Sequence, residues 1–299
     1  MKNPIPVFYD DKQVFDACSY SKSPLKPGLL ARRIALDEAF EIQGGFAPMS
    51  VDDLKLTHDH AHIDALMVGA TRNGFGNRSI KEMNAIRYTA GNLLAAARYP
   101  GDVAWSLTSG FHHAHADECG GFCTIEALTL VAELMHEEGR IRTLIVDEDA
   151  HYGDGCVAQI DRNRMHEYCG YLQSRHTHRV ASVDLNAYRE QLESVIRRDR
   201  PNLMLYQAGA DNWICDPLGG CLTMVEMYQR DLITLDLAKR HGVKVVVNLA
   251  GGYAENFEDT LRIHMNTGEA IREVYKGYGA AMIPVATMEM EDRARLERM

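Results

Sequence analysis

Four short runs of this chain are apolar almost without interruption: Val103-Ala104-Trp105-Ser106-Leu107, Thr143-Leu144-Ile145-Val146, Leu203-Met204-Leu205-Tyr206 and Val243-Lys244-Val245-Val246-Val247. A strand with one wet face alternates polar and apolar residues, so strands apolar throughout are buried on both faces, which means a parallel sheet between helical layers. The intervening sequence has helical periodicity. Residues 122–138 repeat Ile125, Leu128, Val131, Leu134 and Met135 at helical spacing, with Gly139 where a C-terminal cap belongs. A second helix is expected over 223–241, from Thr223 to the stop at Gly242, and a third over 185–197 after Asp184, an N-capping residue. The expected fold is α/β, a three-layer αβα sandwich around a central, mostly parallel sheet. No repeat, low-complexity segment or Pro/Ser-rich linker divides the sequence, so residues 1–299 read as one domain. Segments 68–88 and 160–182 lack clear periodicity and read as irregular stretches at the mouth of a site, and the charged stretch 288–299 as a solvated helix or tail.

Composition narrows the function. With 32 Lys+Arg against 42 Asp+Glu, the formal charge is −10, and no basic stripe is available to track a phosphate backbone, which argues against nucleic acid as a direct ligand. No apolar run approaches the ~18 residues that span a bilayer, and the first residues contain no apolar signal core. The seven cysteines are odd in number and none forms a CxxC pair, which reads as free thiols in a reducing compartment, the cytoplasm by default. Chains of this size and class are often oligomers, but no segment marks an interface.

In open α/β sheets the chemistry gathers at the carboxyl ends of the strands. Four strand ends here carry unusual groups: Thr108-Ser109-Gly110-Phe111-His112-His113, Asp147-Glu148-Asp149-Ala150-His151, Gln207-Ala208-Gly209-Ala210-Asp211 with Asp216-Pro217 beyond it, and Asn248-Leu249-Ala250-Gly251-Gly252-Tyr253. Asp149 and His151 are two apart, so on an extended strand end they face the same side and can share one ion. A third oxygen from Asp216 or Asp211 would complete a set of three protein ligands with positions left open, the catalytic type of metal site. Such an ion polarises a carbonyl and lowers the pKa of bound water to about 7. His112 and His113 are candidates for proton transfer, Asp147 and Asp154 are the carboxylates that could fix their tautomers, and Tyr253, after two glycines, could donate to a developing oxyanion.

These motifs, in this order, resemble the histone deacetylase family within the wider arginase/deacetylase fold. The resemblance runs over Leu56-Thr57-His58-Asp59, His112-His113-Ala114 with Gly121-Phe122-Cys123, Asp147-x-Asp149-x-His151-x-Gly153-Asp154-Gly155, Gly209-Ala210-Asp211 with Asp216-Pro217-Leu218-Gly219, and Gly251-Gly252-Tyr253. It implies zinc held by Asp149, His151 and Asp216, with Fe2+ also accommodated by such a donor set. It further implies His112 and His113 as acid/base pair, Asp147 and Asp154 as their partners, and Tyr253 as the transition-state donor. Gly121 and Phe122 would bind substrate, Phe122 as a wall of a narrow acyl-lysine channel. A structural potassium ion is implied beside the metal segment, with Ser174 and His176 at the next strand end of its site. The activity implied is removal of an acyl group from acetyl-lysine, an acetylpolyamine or a small acyl-amide. The chain departs from the pattern in Gly74-Phe75-Gly76-Asn77-Arg78-Ser79, where a rim carboxylate is expected, and in 160–182, where no second aromatic wall is found.

Two other readings share some of these residues. An arginase-like ureohydrolase would use Asp149-Ala150-His151 in a two-metal site, and a binding module would keep the scaffold to recognise acyl-lysine without turnover. The trio His58, His60 and His62 invites a metal reading, but i, i+2 spacing on a helix points side chains apart, so a structural or surface role is expected. His115 reads as a residue behind the histidine pair or at the surface, and Cys119 and Cys123 as packed thiols near the channel. Trp213 either lines the pocket mouth or anchors its loop.

Overall fold

The structure, a computed structural model, describes residues 3–173, 184–277 and 292. Its centre is a seven-stranded, all-parallel sheet: β1 (Ile5–Phe8), β2 (Phe40–Gln43), β3 (Val103–Ser106), β4 (Thr143–Asp147), β5 (Cys169–Gln173), β6 (Leu203–Gln207) and β7 (Lys244–Asn248), in the spatial order β2-β1-β3-β7-β6-β4-β5. The four apolar runs are β3, β7, β6 and β4, which lie side by side in the middle of the sheet. Burial on both faces explains their composition: Leu144 and Val146 enter one apolar layer while Ile145 enters the other, as do Val245 and Val247 against Val246. Helices α1 (Lys26–Ile34), α7 (Leu185–Asp199), α8 (Met224–Arg240) and α9 (Phe257–Lys276) contribute to the first layer. The second is covered by α2 (Val51–Thr57), α3 (His60–Met67), α4 (Ile80–Arg98), α5 (Ala127–Gly139) and α6 (Asp154–Arg162). This is the three-layer α/β arrangement of the arginase/deacetylase fold.

Local signals explain the helix starts. Thr223 and Glu226 form a reciprocal capping box at α8, and the Asp184 carboxylate accepts from Asn186 N and Ala187 N at α7. The helix expected over 122–138 begins later, at Ala127. Gly121 and Phe122 have φ of 52° and 63°, which no helix accommodates, and Glu126 is the N-cap, accepting from Leu128 N and Thr129 N. Gly139 is the last helical residue, and Arg140 takes the left-handed cap position (φ 54°). Segment 68–88, read as irregular, includes the first turns of α4, whose N-cap Ser79 accepts from Glu82 N. Segment 160–182 includes the end of α6 and β5, while Ser174 and His176 lie outside the described residues, as does the 288–299 stretch apart from Asp292.

The three histidines near residue 60 do not converge. His58 ends α2 and is buried: its Nε2 accepts from Glu126 N (3.0 Å) and its Nδ1 lies 3.2 Å from Leu54 O. It thereby ties α2 to the start of α5. Burial, with the nearby His62 and Arg162, pulls its pKa down to about 4. A proton on Nε2 would face the Glu126 N–H, so the folded state resists protonation that the unfolded chain accepts near pH 6.5. Stability is therefore full above about pH 6.5 and falls by about 3 kcal/mol as pH drops toward 4. Urea unfolding of wild type and His58→Gln across this interval should give a shallower pH slope for the variant; equal slopes would remove His58 from the acid lability.

Candidate active site

The sheet register carries a row of polar side chains to one edge. Gln173, Asp147, Gln207 and Asn248 are successive partners across β5, β4, β6 and β7. Gln207 Nε2 donates to Asp147 Oδ1 (3.1 Å), and Asn248 Nδ2 donates to Gln207 Oε1 (2.9 Å). On this buried floor stands His112, whose Nδ1 donates to Asp147 Oδ2 (2.9 Å) and whose Nε2 lies 3.7 Å from Asp149 Oδ1. His113, ring centroid 4.0 Å from that of His112, donates from Nδ1 to Asp154 Oδ1 (2.6 Å). Each imidazole thus has its own carboxylate, one buried at the end of β4 and one half-exposed in the first turn of α6. His115 shares the second, with Nε2 3.1 Å from Asp154 Oδ2.

Electrostatics separate the two histidines. Burial pulls both down; for His112 the carboxylates of Asp147 and Asp149 outweigh it and hold the imidazole at about 9. His113 stays below its ordinary value, through burial first and then the charge of His112. Burial, reinforced by Asp149 and Asp211, also pushes the Tyr253 phenol far up, so it remains a protonated donor.

Beside the pair lies a cluster of carboxylates. Ligand atoms of Asp149, His151 and Asp211 fall within 4.8 Å of one another, the one such grouping among the described residues. His151 Nδ1 is shared between Asp149 Oδ1 (3.1 Å) and Asp211 Oδ2 (3.0 Å), which raises the imidazole to about 11. Asp216 stands at the same site differently: Oδ2 accepts from Tyr253 N (2.7 Å) and Oδ1 from Leu218 N (3.0 Å). Burial raises both Asp211 and Asp216, the latter to about 6. Three buried carboxylates with an imidazole among them, two of the three raised by burial, fit a divalent cation. Gly251 admits this crowding: a Cβ there would lie 2.3 Å from Asp211 Oδ2 and 2.7 Å from Asp149 Oδ2, and its N–H donates to Asp149 Oδ2 (2.7 Å). The geometry therefore groups Asp211 most tightly with Asp149 and His151, where the sequence pattern leaves Asp211 and Asp216 open and the family resemblance implies Asp216.

His112, Gly121, Phe122, Asp149, Gly251 and Tyr253 line one small pocket. Gly121 is needed beneath His113, because a Cβ would come within 2.4 Å of its ring. Phe122 faces Tyr253 across 5.9 Å between ring centroids, Phe75 lies 6.3 Å beyond Phe122, and Tyr20 stacks on Tyr253 at 6.3 Å. Further aromatic surface at the pocket thus comes from the segments around residues 20 and 75. Trp213 anchors its loop: it is buried, with Nε1 donating to Asp292 Oδ1 (2.9 Å). Cys123 is a packed thiol in the pocket wall, and Cys119 packs beside His62. A roomier cleft of about 470 Å³, lined by Arg142, Thr143, Tyr168 and Cys169 among others, opens at the amino ends of β4 and β5, away from the carboxyl ends where this sheet gathers its functional groups.

Sequence reasoning missed Gln173, Tyr171 and Lys26. Tyr171 OH lies 2.9 Å from Asp147 Oδ2, and the buried Lys26 Nζ donates to Ala250 O (2.5 Å) and Gly251 O (3.2 Å). Lys26 left no signal because it sits in an ordinary helix start 224 residues away from its partner.

The histone deacetylase domain matches residues 28–174 and 181–267. The chain belongs to the histone deacetylase family. Similar curated proteins include an uncharacterized protein of Picosynechococcus sp., 28% identical over 190 residues (58% of this chain, 63% of that one). Histone deacetylase 2 of Arabidopsis thaliana is 27% identical over 203 residues (59% of this chain, 51% of that one). The acetoin utilization protein AcuC of Staphylococcus aureus is 23% identical over 249 residues (68% and 64%). The chain thus spans less than two-thirds of the length of each of these relatives. No helix among the described residues is long and apolar enough to cross a membrane.

Proposed function

We propose that residues 1–299 form a single metal-dependent amidohydrolase domain that removes the acyl group from an N-acylated amine: acetyl-lysine, an acetylpolyamine or a small acyl-amide. The observation that carries this reading is the pair His112–Asp147 and His113–Asp154, two imidazoles each fixed by a separate carboxylate beside one cation-seeking cluster. Amide hydrolysis needs a proton taken from water and a proton delivered to the leaving amine, and two adjacent, separately oriented imidazoles supply both.

Asp149, His151 and Asp216 are read as the ligands, Zn2+ as the ion and Fe2+ as its alternative. When bound, the ion supplies Lewis-acid activation of the acyl carbonyl and of the attacking water. His112, its Nδ1 proton committed to Asp147, presents Nε2 on the side of Asp149 and orients the water. His113, neutral because it lies below its ordinary pKa, takes a proton from the attacking water on Nε2 and delivers it to the departing nitrogen, with Asp154 holding its ring through Nδ1. Tyr253 donates its phenolic proton to the developing oxyanion. Phe122 and Gly121 flank the acyl group, and the aromatic walls exclude water around it. Seven cysteines, odd in number and without a CxxC pair in the sequence, suit a reducing compartment, read as the cytoplasm.

A zinc-loaded preparation should release acetate from at least one of an acetyl-lysine peptide, an acetylpolyamine and a small N-acyl amide. Failure on all three, with zinc bound, would exclude deacylation. Elemental analysis separates the ureohydrolase reading: one divalent ion per chain is expected, whereas that chemistry requires two. Binding of acyl-lysine without turnover would instead indicate a recognition module.

A further inference from the structure

The potassium ion implied by the family resemblance does not fit the described groups beside Asp149 and His151, Ser174 and His176 lying outside the described residues. Potassium is held by carbonyl and carboxylate oxygens, and between β4 and β5 those oxygens already accept hydrogen bonds. Gln173, the partner of Asp147 in the sheet register, donates from Nε2 to the main-chain oxygens of Asp149 (3.2 Å) and His151 (2.7 Å). Its Oε1 accepts from Gly153 N (3.3 Å) and lies 3.1 Å from Tyr171 OH. The neighbours fix the amide's orientation, because the reversed one would set NH2 against the Gly153 N–H and oxygen against two carbonyls. The Asp147 carboxylate is likewise engaged: Oδ1 by Gln207 Nε2 (3.1 Å) and Asp149 N (3.2 Å), Oδ2 by His112 Nδ1 (2.9 Å) and Tyr171 OH (2.9 Å). A cation among these groups would meet N–H donors aimed at it.

We propose that the Gln173 amide takes the place of a monovalent cation, bridging the carbonyls of Asp149 and His151 and making this segment independent of potassium. Gln173 is a positioning residue. By holding the main chain on both sides of Ala150, it sets the direction in which the Asp149 and His151 side chains leave the strand end. A neutral bridge also brings no positive charge beside His112 and Asp147. The functional meaning rests on the reading of Asp149 and His151 as metal ligands, but the ion independence can be tested without it.

The test is the thermal midpoint of the full chain in KCl, NaCl and choline chloride at equal ionic strength. Wild type is expected to melt within about 1 °C in all three salts, because an ion that does not bind the folded state cannot stabilise it. Gln173→Ala leaves two carbonyls without their donor and opens room for an ion. Its midpoint should fall by about 5 °C in choline chloride, and KCl should recover at least part of that loss while choline does not. A wild-type midpoint several degrees higher in KCl than in choline chloride overturns the proposal, as does a Gln173→Ala protein indifferent to potassium. Should Gln173→Ala fail to fold, Gln173→Met keeps the bulk without the donors, and the wild-type salt comparison decides independence by itself. Zinc content and acetate release from the same preparations separate the two readings. Loss of the amidohydrolase assignment leaves the salt comparison unchanged, whereas a potassium-stabilised wild type with normal turnover removes only the role of Gln173.

Discussion

Tyr253→Phe should bind its divalent ion at wild-type occupancy and lose about 10²–10³-fold in turnover, the cost of removing one preorganised oxyanion donor. Two separate parts of Tyr253 face the site. Its main-chain N–H donates to Asp216 Oδ2 (2.7 Å), and phenylalanine keeps that bond. Its ring packs among Phe122, Tyr20 and His151, with centroids 5.9, 6.3 and 6.2 Å away, and phenylalanine keeps that packing too. Only the hydroxyl is lost. Burial and the surrounding carboxylates hold that hydroxyl far above its ordinary pKa, so it donates throughout the working pH range. The kinetic signature is a fall in kcat with little change in metal content by elemental analysis. Unchanged turnover would remove the oxyanion role, and loss of the ion would mean that the substitution had disturbed Asp216.

The second large effect concerns the third ligand. Asp149→Asn should reduce metal affinity by more than about 10²-fold, beyond the 10–100-fold typical of groups that merely orient ligands, and abolish measurable turnover. Asp216→Asn should behave the same way, and Asp211→Asn should stay within that smaller range. The basis is what each carboxylate already does. Asp211 is fully buried, with Oδ1 accepting from Ala150 N (3.1 Å) and Oδ2 from His151 Nδ1 (3.0 Å), so it can fix the strand end and the imidazole from behind. Asp216 accepts one backbone N–H on each oxygen, from Leu218 and Tyr253, which orients the carboxylate while leaving lone pairs that could hold an ion. Metal titrations of the three variants decide the matter. If Asp211→Asn loses the ion while Asp216→Asn keeps it, the ligand set is Asp149, His151 and Asp211.

The middle of the sheet was legible because strands buried on both faces leave no room for polar residues, and β3, β4, β6 and β7 occupy that position. The flanking strands were not. β2 and β5 are edge strands with partly exposed residues and β5 includes Gly170, while β1, buried throughout, is only four residues long and contains Pro6, a residue uncommon inside a sheet. The start of α5 was misplaced because helical spacing continues through Phe122, while a left-handed φ forced by the turn beneath His113 does not register in side-chain periodicity.

At the site, sequence order and residue type named His112, His113, Asp147, Asp149, His151, Asp154 and Tyr253, since each lies within a few residues of a strand end and local spacing sets its direction. What the sequence by itself determined is a parallel α/β core with one cluster of acid, imidazole and phenol at the carboxyl ends of its central strands. Tertiary structure decided which carboxylate serves which imidazole, how Asp211 and Asp216 divide the ground around His151, and that Gln173 donates to the main-chain oxygens of Asp149 and His151. These depend on register between strands far apart in the chain and on a few ångströms of approach between loops, and hydrogen bonds formed across such separations leave no period in the sequence.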